Sequence, residues 1–400
     1  MTTLALRRGR FLNPADGEIT EGDMLIEDGV IAQVGTISGA FDEEVDLGGR
    51  IVIPGLIDAH FHAYAHATSG PELETRHLSY VAINGLRRCS AALRRGFTTI
   101  RDVAGGDLGF AQALEADDQP NPRYLYTGPG LSQTGGHGDA RPAEYDLCLN
   151  HGRHGHIGEV VDGADDMRRA VRERFRTGAH AIKIMASGGV ASPTDPLRIP
   201  QYSSEEIKVA VEEATRRGSY VAAHAYTADA VIHAVSNGVR TVEHGNLIDQ
   251  GAAELMAERG AYLVPTLVAY DAMNRRGPEA GLPPVSQQKN LEVLHAGKDA
   301  VRIAADAGVK VGWGSDLMGD LEDDQLIGIA LQAEAQSPAE LLRSLTVVNA
   351  EIIGMPELAT FEEGTPADLL VLQENPLDDA SVLWDEARER TVIRAGVVVS

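Results

Sequence analysis

The sequence predicts an α/β fold: a closed parallel (β/α)8 barrel with a small β module assembled from both chain ends. Three observations carry that expectation. Strand-like runs alternate with amphipathic helical stretches through the middle of the chain. Both ends are dense in short strands and tight turns. Residues able to bind metals or move protons recur where successive strands would end, and that end of a barrel carries the chemistry.

The N-terminal strands are expected at residues 4–12, 22–27, 29–35 and 50–53. They are bounded by Pro14-Ala15-Asp16-Gly17, Glu27-Asp28-Gly29 and residues 46–49. Asp-Gly pairs between apolar runs are hairpin signals. The C-terminus repeats the style at 367–372 and 391–399, with Arg394-Ala395-Gly396 as a hairpin turn. The expected division is a composite β module from residues 1–54 and 361–400, and a barrel from residues 55–360.

The barrel strands are expected at 53–62, 98–103, 123–128, 179–185, 220–226, 241–244, 261–267 and 310–315. Helical stretches between them include 79–95, 163–177, 204–217, 228–237, 252–258 and 285–307. Ser203-Ser204-Glu205-Glu206 is a cap-like start. Gly96, Gly178, Gly218, Gly238, Gly260 and Gly308 stand where helices need a left-handed residue to stop. An open doubly wound sheet is disfavoured, because no Gly-x-Gly-x-x-Gly loop opens a helix. A long irregular stretch, 119–162, holds Gly135-Gly136-His137-Gly138-Asp139 and the run from His151 through His154 to His156. The simplest reading of that run is a solvated loop, and the alternative is a lid over the barrel mouth.

Composition narrows the classes. The net charge of −24 argues against nucleic acid and anionic membrane surfaces as partners. No apolar run reaches membrane-spanning length, and residues 1–12 lack the apolar core of a secretory leader. Two cysteines, Cys89 and Cys148, form no disulfide framework and fit a reducing cytoplasm, the expected location.

The chemistry is concentrated in Ile53-Pro54-Gly55-Leu56-Ile57-Asp58-Ala59-His60-Phe61-His62. Alternation along a strand puts His60 and His62 on one face, a ready chelate. Lys183 sits in an apolar run on the fourth strand; His224 and His244 end the fifth and sixth; Asp316 ends the eighth. Four imidazoles and a carboxylate exceed what one tetrahedral ion takes and suit two ions sharing a bridging anion. A buried Lys183 beside two cations would be neutral, and a neutral amine takes up CO2 to give a carbamate that supplies bridging oxygens.

With Thr134-Gly135-Gly136-His137-Gly138-Asp139, Ile182-Lys183-Ile184-Met185-Ala186-Ser187-Gly188-Gly189-Val190, His224-Ala225-Tyr226-Thr227 and Val242-Glu243-His244-Gly245-Asn246-Leu247-Ile248-Asp249, these residues resemble the amidohydrolase superfamily. Within it the motifs resemble the Xaa-Pro dipeptidase (prolidase-like) branch and its ochratoxin- and phenylurea-hydrolysing relatives. The resemblance implies a TIM barrel with a β-sandwich built from both termini, and a binuclear centre, usually of Zn2+. It implies His60, His62 and Asp316 on the more buried ion, His224 and His244 on the other, and N6-carboxylated Lys183 as the bridge. It also implies a homo-oligomer.

The function expected is hydrolysis of an Xaa-Pro-type or related peptide bond by a metal-bridging hydroxide, with Asp316 as proton shuttle. His137 is the candidate donor to the oxyanion, and Tyr226 the candidate contact for a terminal carboxylate. Arg198, Arg141 and Arg153 are candidate cations for that carboxylate. The competing reading is hydrolysis of a non-peptide amide, carbamate or urea, such as a mycotoxin or herbicide-like compound. A non-catalytic scaffold is disfavoured by the intact ligand set.

Overall fold

The computed structural model describes residues 2–68, 70–117, 119–141, 156–192 and 195–399. The chain opens with β1 (Thr3–Leu12), β2 (Ile19–Glu27), β3 (Val30–Gly35), β4 (Glu43–Asp46) and β5 (Ile51–Pro54). The middle supplies β6 (Leu56–Phe61), β7 (Phe97–Asp102), β8 (Arg123–Tyr126), β9 (Gly130–Ser132), β10 (Gly158–Val160) and β11 (Ile182–Met185). It continues with β12 (Val221–Thr227), β13 (Thr241–Leu247), β14 (Tyr262–Val264) and β15 (Lys310–Val311). The end of the chain gives β16 (Leu369–Leu372), β17 (Arg390–Arg394) and β18 (Val397–Val398).

The two ends meet in one sheet ordered β18-β17-β16-β5-β1-β2-β3, with β4 added beside β1. β16 runs antiparallel to β5, with Leu369 opposite Pro54 and Leu372 opposite Ile51. Alternation then splits these strands between two cores. Val52, Leu369 and Val371 pack with Leu6, Phe11 and Met24. Ile51, Ile53, Leu370 and Leu372 pack instead with Leu56, Phe97 and Trp313 of the parallel region. Burial on both faces is why residues 51–54 read as an unbroken apolar run. The terminal hairpin turns through Ala395 and Gly396, both with positive φ, as a two-residue type I′ turn requires.

The middle of the chain forms two parallel sheets, β6-β7-β8 and β10-β9-β11-β12-β13-β14-β15. Backbone hydrogen bonds tie their edges. Ala59 N–H donates to Trp313 O at 3.1 Å, Asp316 N–H to His60 O at 2.7 Å, and His180 N–H to Tyr126 O at 2.8 Å. The helices cover the outside through their apolar stripes; Ala164–Arg176, for one, buries Met167, Ala170 and Val171. Ser203 and Glu206 form a reciprocal capping box at the start of Ser204–Arg216.

Several expected boundaries differ. The run 53–62 is two strands in two sheets, broken at Gly55. A Cβ there would lie 2.0 Å from Thr98 Oγ1, so the chain crosses between sheets where no side chain fits. The stretch 285–307 is two helices, Pro284–Leu294 and Gly297–Asp306. The strand expected at 261–267 ends at Val264, and Thr266, with φ of 47°, turns the chain into the helix Leu267–Arg276. Cys89 is buried and free, while Cys148 lies outside the described residues. Among the described residues no helix is long and apolar enough to cross a membrane.

Gly55→Ala is expected to destabilise the protein by about 1–3 kcal/mol, the usual cost of forcing a methyl group into a filled site. The midpoint of urea unfolding measures this, and an unchanged midpoint would contradict the packing described.

Candidate active site

The strand ends converge on one cavity of about 190 Å3. His60, His62, His137, Lys183, His224, Tyr226, His244 and Asp316 all line it. Register brings them level: His224 on β12 stands beside Met185 on β11, and Ala225 beside His244 on β13. The imidazoles form a chain, with ring centroids 5.0 Å apart for His62–His60, 5.0 Å for His60–His244 and 4.5 Å for His244–His224.

Each imidazole has one nitrogen committed to the protein. His60 Nδ1 faces Glu243 Oε2 at 2.8 Å, His62 Nδ1 faces Ala104 O at 3.1 Å, His224 Nε2 faces Gly188 O at 3.2 Å, and His244 Nδ1 faces Thr266 Oγ1 at 2.8 Å. The other nitrogens of His60 and His62 lie 3.4 and 2.9 Å from Asp316 Oδ1. His60, His62 and Asp316 offer ligand atoms within 4.8 Å of one another, a candidate metal site. Outer acceptors that fix the tautomer while inner nitrogens converge on a carboxylate are what a divalent cation needs, so the donor set fits.

The backbone is bent to achieve this. Ala104, His244, Thr266 and Asp316 all have positive φ, a conformation unfavourable for residues with a Cβ and concentrated here at the cavity.

Electrostatics match. Burial, with neighbouring imidazoles and Lys183, pushes His224 and His244 well below the usual histidine range, leaving the neutral, ligating form. Burial lowers Lys183 to about 8 despite the attraction of Glu243 and Asp316. Burial alone would raise Asp316, but His60, His62 and His244 outweigh it and hold the carboxylate ionised.

Beneath the histidines lies a layer that the sequence reading did not single out. Arg101, fully buried, donates twice from Nη2 to Glu243, at 2.9 and 3.0 Å, and from Nε to Ala59 O at 2.5 Å. Asp58 accepts from His60 N–H, Ser315 N–H, Ser315 Oγ and Gln325 Nε2, which locks the end of β6 to the segment carrying Asp316. Asp102 accepts from Ala63 N–H and Tyr124 Oη, and burial raises it to about 6. The available signal was an ionisable residue inside an apolar strand run: Ile57-Asp58-Ala59 and Ile100-Arg101-Asp102-Val103.

Other candidates fall elsewhere. Arg198 does not line the cavity; its side chain is 68% exposed and pairs with Glu292 at 3.6 Å. Arg141 does line it, held in a two-point contact by Asp139 at 2.7 and 2.6 Å. His156 is described, with Nε2 facing Arg76 O at 2.9 Å, whereas His151, Arg153 and His154 lie outside the described residues.

Parallel strands presenting histidines, a lysine and a carboxylate at one end make a candidate metal site of the kind that supports hydrolysis. The amidohydrolase family profile matches residues 51–399, and the chain belongs to that family. Among relatives, the ochratoxinase of Aspergillus niger is 32% identical over 96% of this chain and 84% of that enzyme. A prolidase solved with N-methylphosphonate-L-proline is 43% identical, with a TM-score of 0.96 over 100% of both chains. A Xaa-Pro dipeptidase with methionine in its active site is 27% identical, with a TM-score of 0.88 over 99% of both.

Glu243→Gln should weaken retention of a divalent ion about 10- to 100-fold, the usual effect of losing the acceptor behind a ligating histidine. Competition with a chelator reads this directly. Wild-type retention would mean that His60 is oriented without Glu243.

Proposed function

We propose that this enzyme is a binuclear metal-dependent hydrolase cleaving an amide bond next to a free carboxylate, as an Xaa-Pro-type dipeptidase or related carboxypeptidase. The observation that carries the reading is the convergence of His60, His62, Lys183, His224, His244 and Asp316 on one cavity. The parallel strands would close through the edge hydrogen bonds into a (β/α)8 barrel, residues 55–360, with the composite sheet of residues 1–54 and 361–400 standing where the β-sandwich is expected.

His60, His62 and Asp316 would hold one divalent ion, and His224 and His244 a second, with N6-carboxylated Lys183 between them. The zinc-type pair, when bound, supplies an activated water at neutral pH and polarises the scissile carbonyl. The protein supplies the rest. Asp316, held ionised, takes a proton and returns it to the leaving nitrogen. His137, stacked on His224 with centroids 4.2 Å apart, donates to the oxygen that gains charge. Of the candidates for holding the substrate carboxylate, Tyr226, whose ring packs on His224 and His244, and Arg141 line the cavity and keep that role.

The likeness to the prolidase and the Xaa-Pro dipeptidase supports a peptide substrate. The likeness to ochratoxinase supports a second reading, a non-peptide amide of mycotoxin type. The lining favours a substrate with an apolar part in either case, since Leu73, Ile157, Val190, Met273 and Met318 contribute to the wall.

Elemental analysis should find about two metals per chain, as two-metal sites require. A panel of Xaa-Pro dipeptides, N-acyl amino acids, aryl ureas and carbamates then separates the readings. Turnover confined to substrates with a free carboxylate supports the first, and turnover of uncharged amides alone overturns it. Asp316→Asn is expected to keep most of its metal and lose about 100-fold or more in kcat, the usual weight of a positioned acid–base group. Near-normal turnover would remove Asp316 from that role. Lys183→Ala should lose both metal and activity, with partial rescue by small carboxylic acids; full metal content in this variant would exclude the bridge.

A further inference from the structure

Resting on the oxyanion role given to His137, we propose that Asp195 is a positioning residue for His137, acting together with Gly189. The ring of His137 is held from three sides. One face lies on His224, with an interplanar angle of 18°. Gly189 packs against the ring so closely that a Cβ there would sit 2.0 Å from Cε1, 2.2 Å from Nδ1 and 2.4 Å from Nε2. Asp195 Oδ2 faces Nδ1 at 3.5 Å, and this buried nitrogen makes no hydrogen bond among the described residues, so the carboxylate is the charge that faces it.

Asp195 is itself arranged for the task. Its Oδ2 accepts from Gly189 N–H at 2.8 Å and from Gln201 Nε2 at 3.4 Å. The same Gln201 accepts from the backbone N–H of His137 at 3.0 Å, so one side chain links the main chain of the histidine to the carboxylate facing its ring. Lys289 staples this loop from outside. Its Nζ donates to Gly189 O at 3.0 Å, Ser192 O at 2.7 Å and Asp195 O at 2.5 Å, and stands 3.7 Å from Asp195 Oδ1. With Nδ1 turned to Asp195, Nε2 is the nitrogen left for the cavity. Rotating the ring by half a turn would set a carbon against the carboxylate, a contact of no electrostatic value.

Closing the loop is the merely structural use of Asp195, and a double-mutant cycle separates the two. Asp195→Asn keeps an oxygen for the Gly189 N–H and removes the charge facing Nδ1. In the metal-loaded enzyme it should lower kcat at least about tenfold, equivalent to about 1.4 kcal/mol, while KM, metal content and the unfolding midpoint stay near wild type. In a His137→Asn background the same change should have almost no further effect on kcat. Gly189→Ala is the second variant, and its loss of kcat should likewise vanish once His137 is replaced. Equal losses in both backgrounds would overturn the proposal in favour of loop closure. A slow His137→Asn enzyme beside a fast Asp195→Asn enzyme would overturn it while sparing the role of His137. Full turnover in His137→Asn alone would end both.

Discussion

The ion pair between Arg101 and Glu243 is the constraint on which the cavity depends. Both side chains are fully buried, where an unpaired charge would cost several kcal/mol. Neither can be released singly. The guanidinium donates to Glu243, to the hydroxyls of Tyr220 and Thr241, and to the carbonyl of Ala59, one residue before His60. Glu243 also accepts from the Thr241 hydroxyl and faces the ring of His60. Burial works against the charged form of Glu243, and Arg101 and His60 more than offset it, so the carboxylate stays ionised as an acceptor. A single charged layer thereby sets the height and rotation of a histidine above it, and His62 and His244 are placed relative to that histidine.

Residues bearing the most conspicuous chemistry were legible from the sequence because strand periodicity and strand ends are local properties. His60 and His62 two apart, His224 and His244 closing apolar runs, and Asp316 after Gly314-Ser315 need only the expectation of a parallel sheet. The supports were not legible. Arg101 and Glu243 are 142 residues apart, and Asp58 and Gln325 are 267 apart. Nothing in either stretch names its partner. Arg198 shows the reverse error: a cation in a loop near the fourth strand is as readily drawn to Glu292 on a neighbouring helix as to a pocket. The early end of β14 has the same origin, since Thr266 leaves the strand to reach His244.

Strain and order are linked at this site. The residues with a Cβ held at positive φ around the cavity either carry a candidate ligand, as His244 and Asp316 do, or hold one by its outer nitrogen, as Ala104 and Thr266 do. Such conformations cost about 1–3 kcal/mol each and persist only where the surroundings leave no alternative. Here the surroundings are Asp58 with its four donors and the packed apolar cores on either side.

The crossing at Pro54-Gly55 bears on how the molecule is made. β5 lies between β1 and β16, and the candidate ligands His60 and His62 come six and eight residues after it ends. One flank of β5 is supplied by β1, which is synthesised before it. The other comes only when residues 369–372 have been synthesised. Contacts of that sequence separation are slow to form. The nascent chain therefore carries β5 with one bare edge until β16 closes it, while β6, which leads to the candidate ligands His60 and His62, follows directly behind.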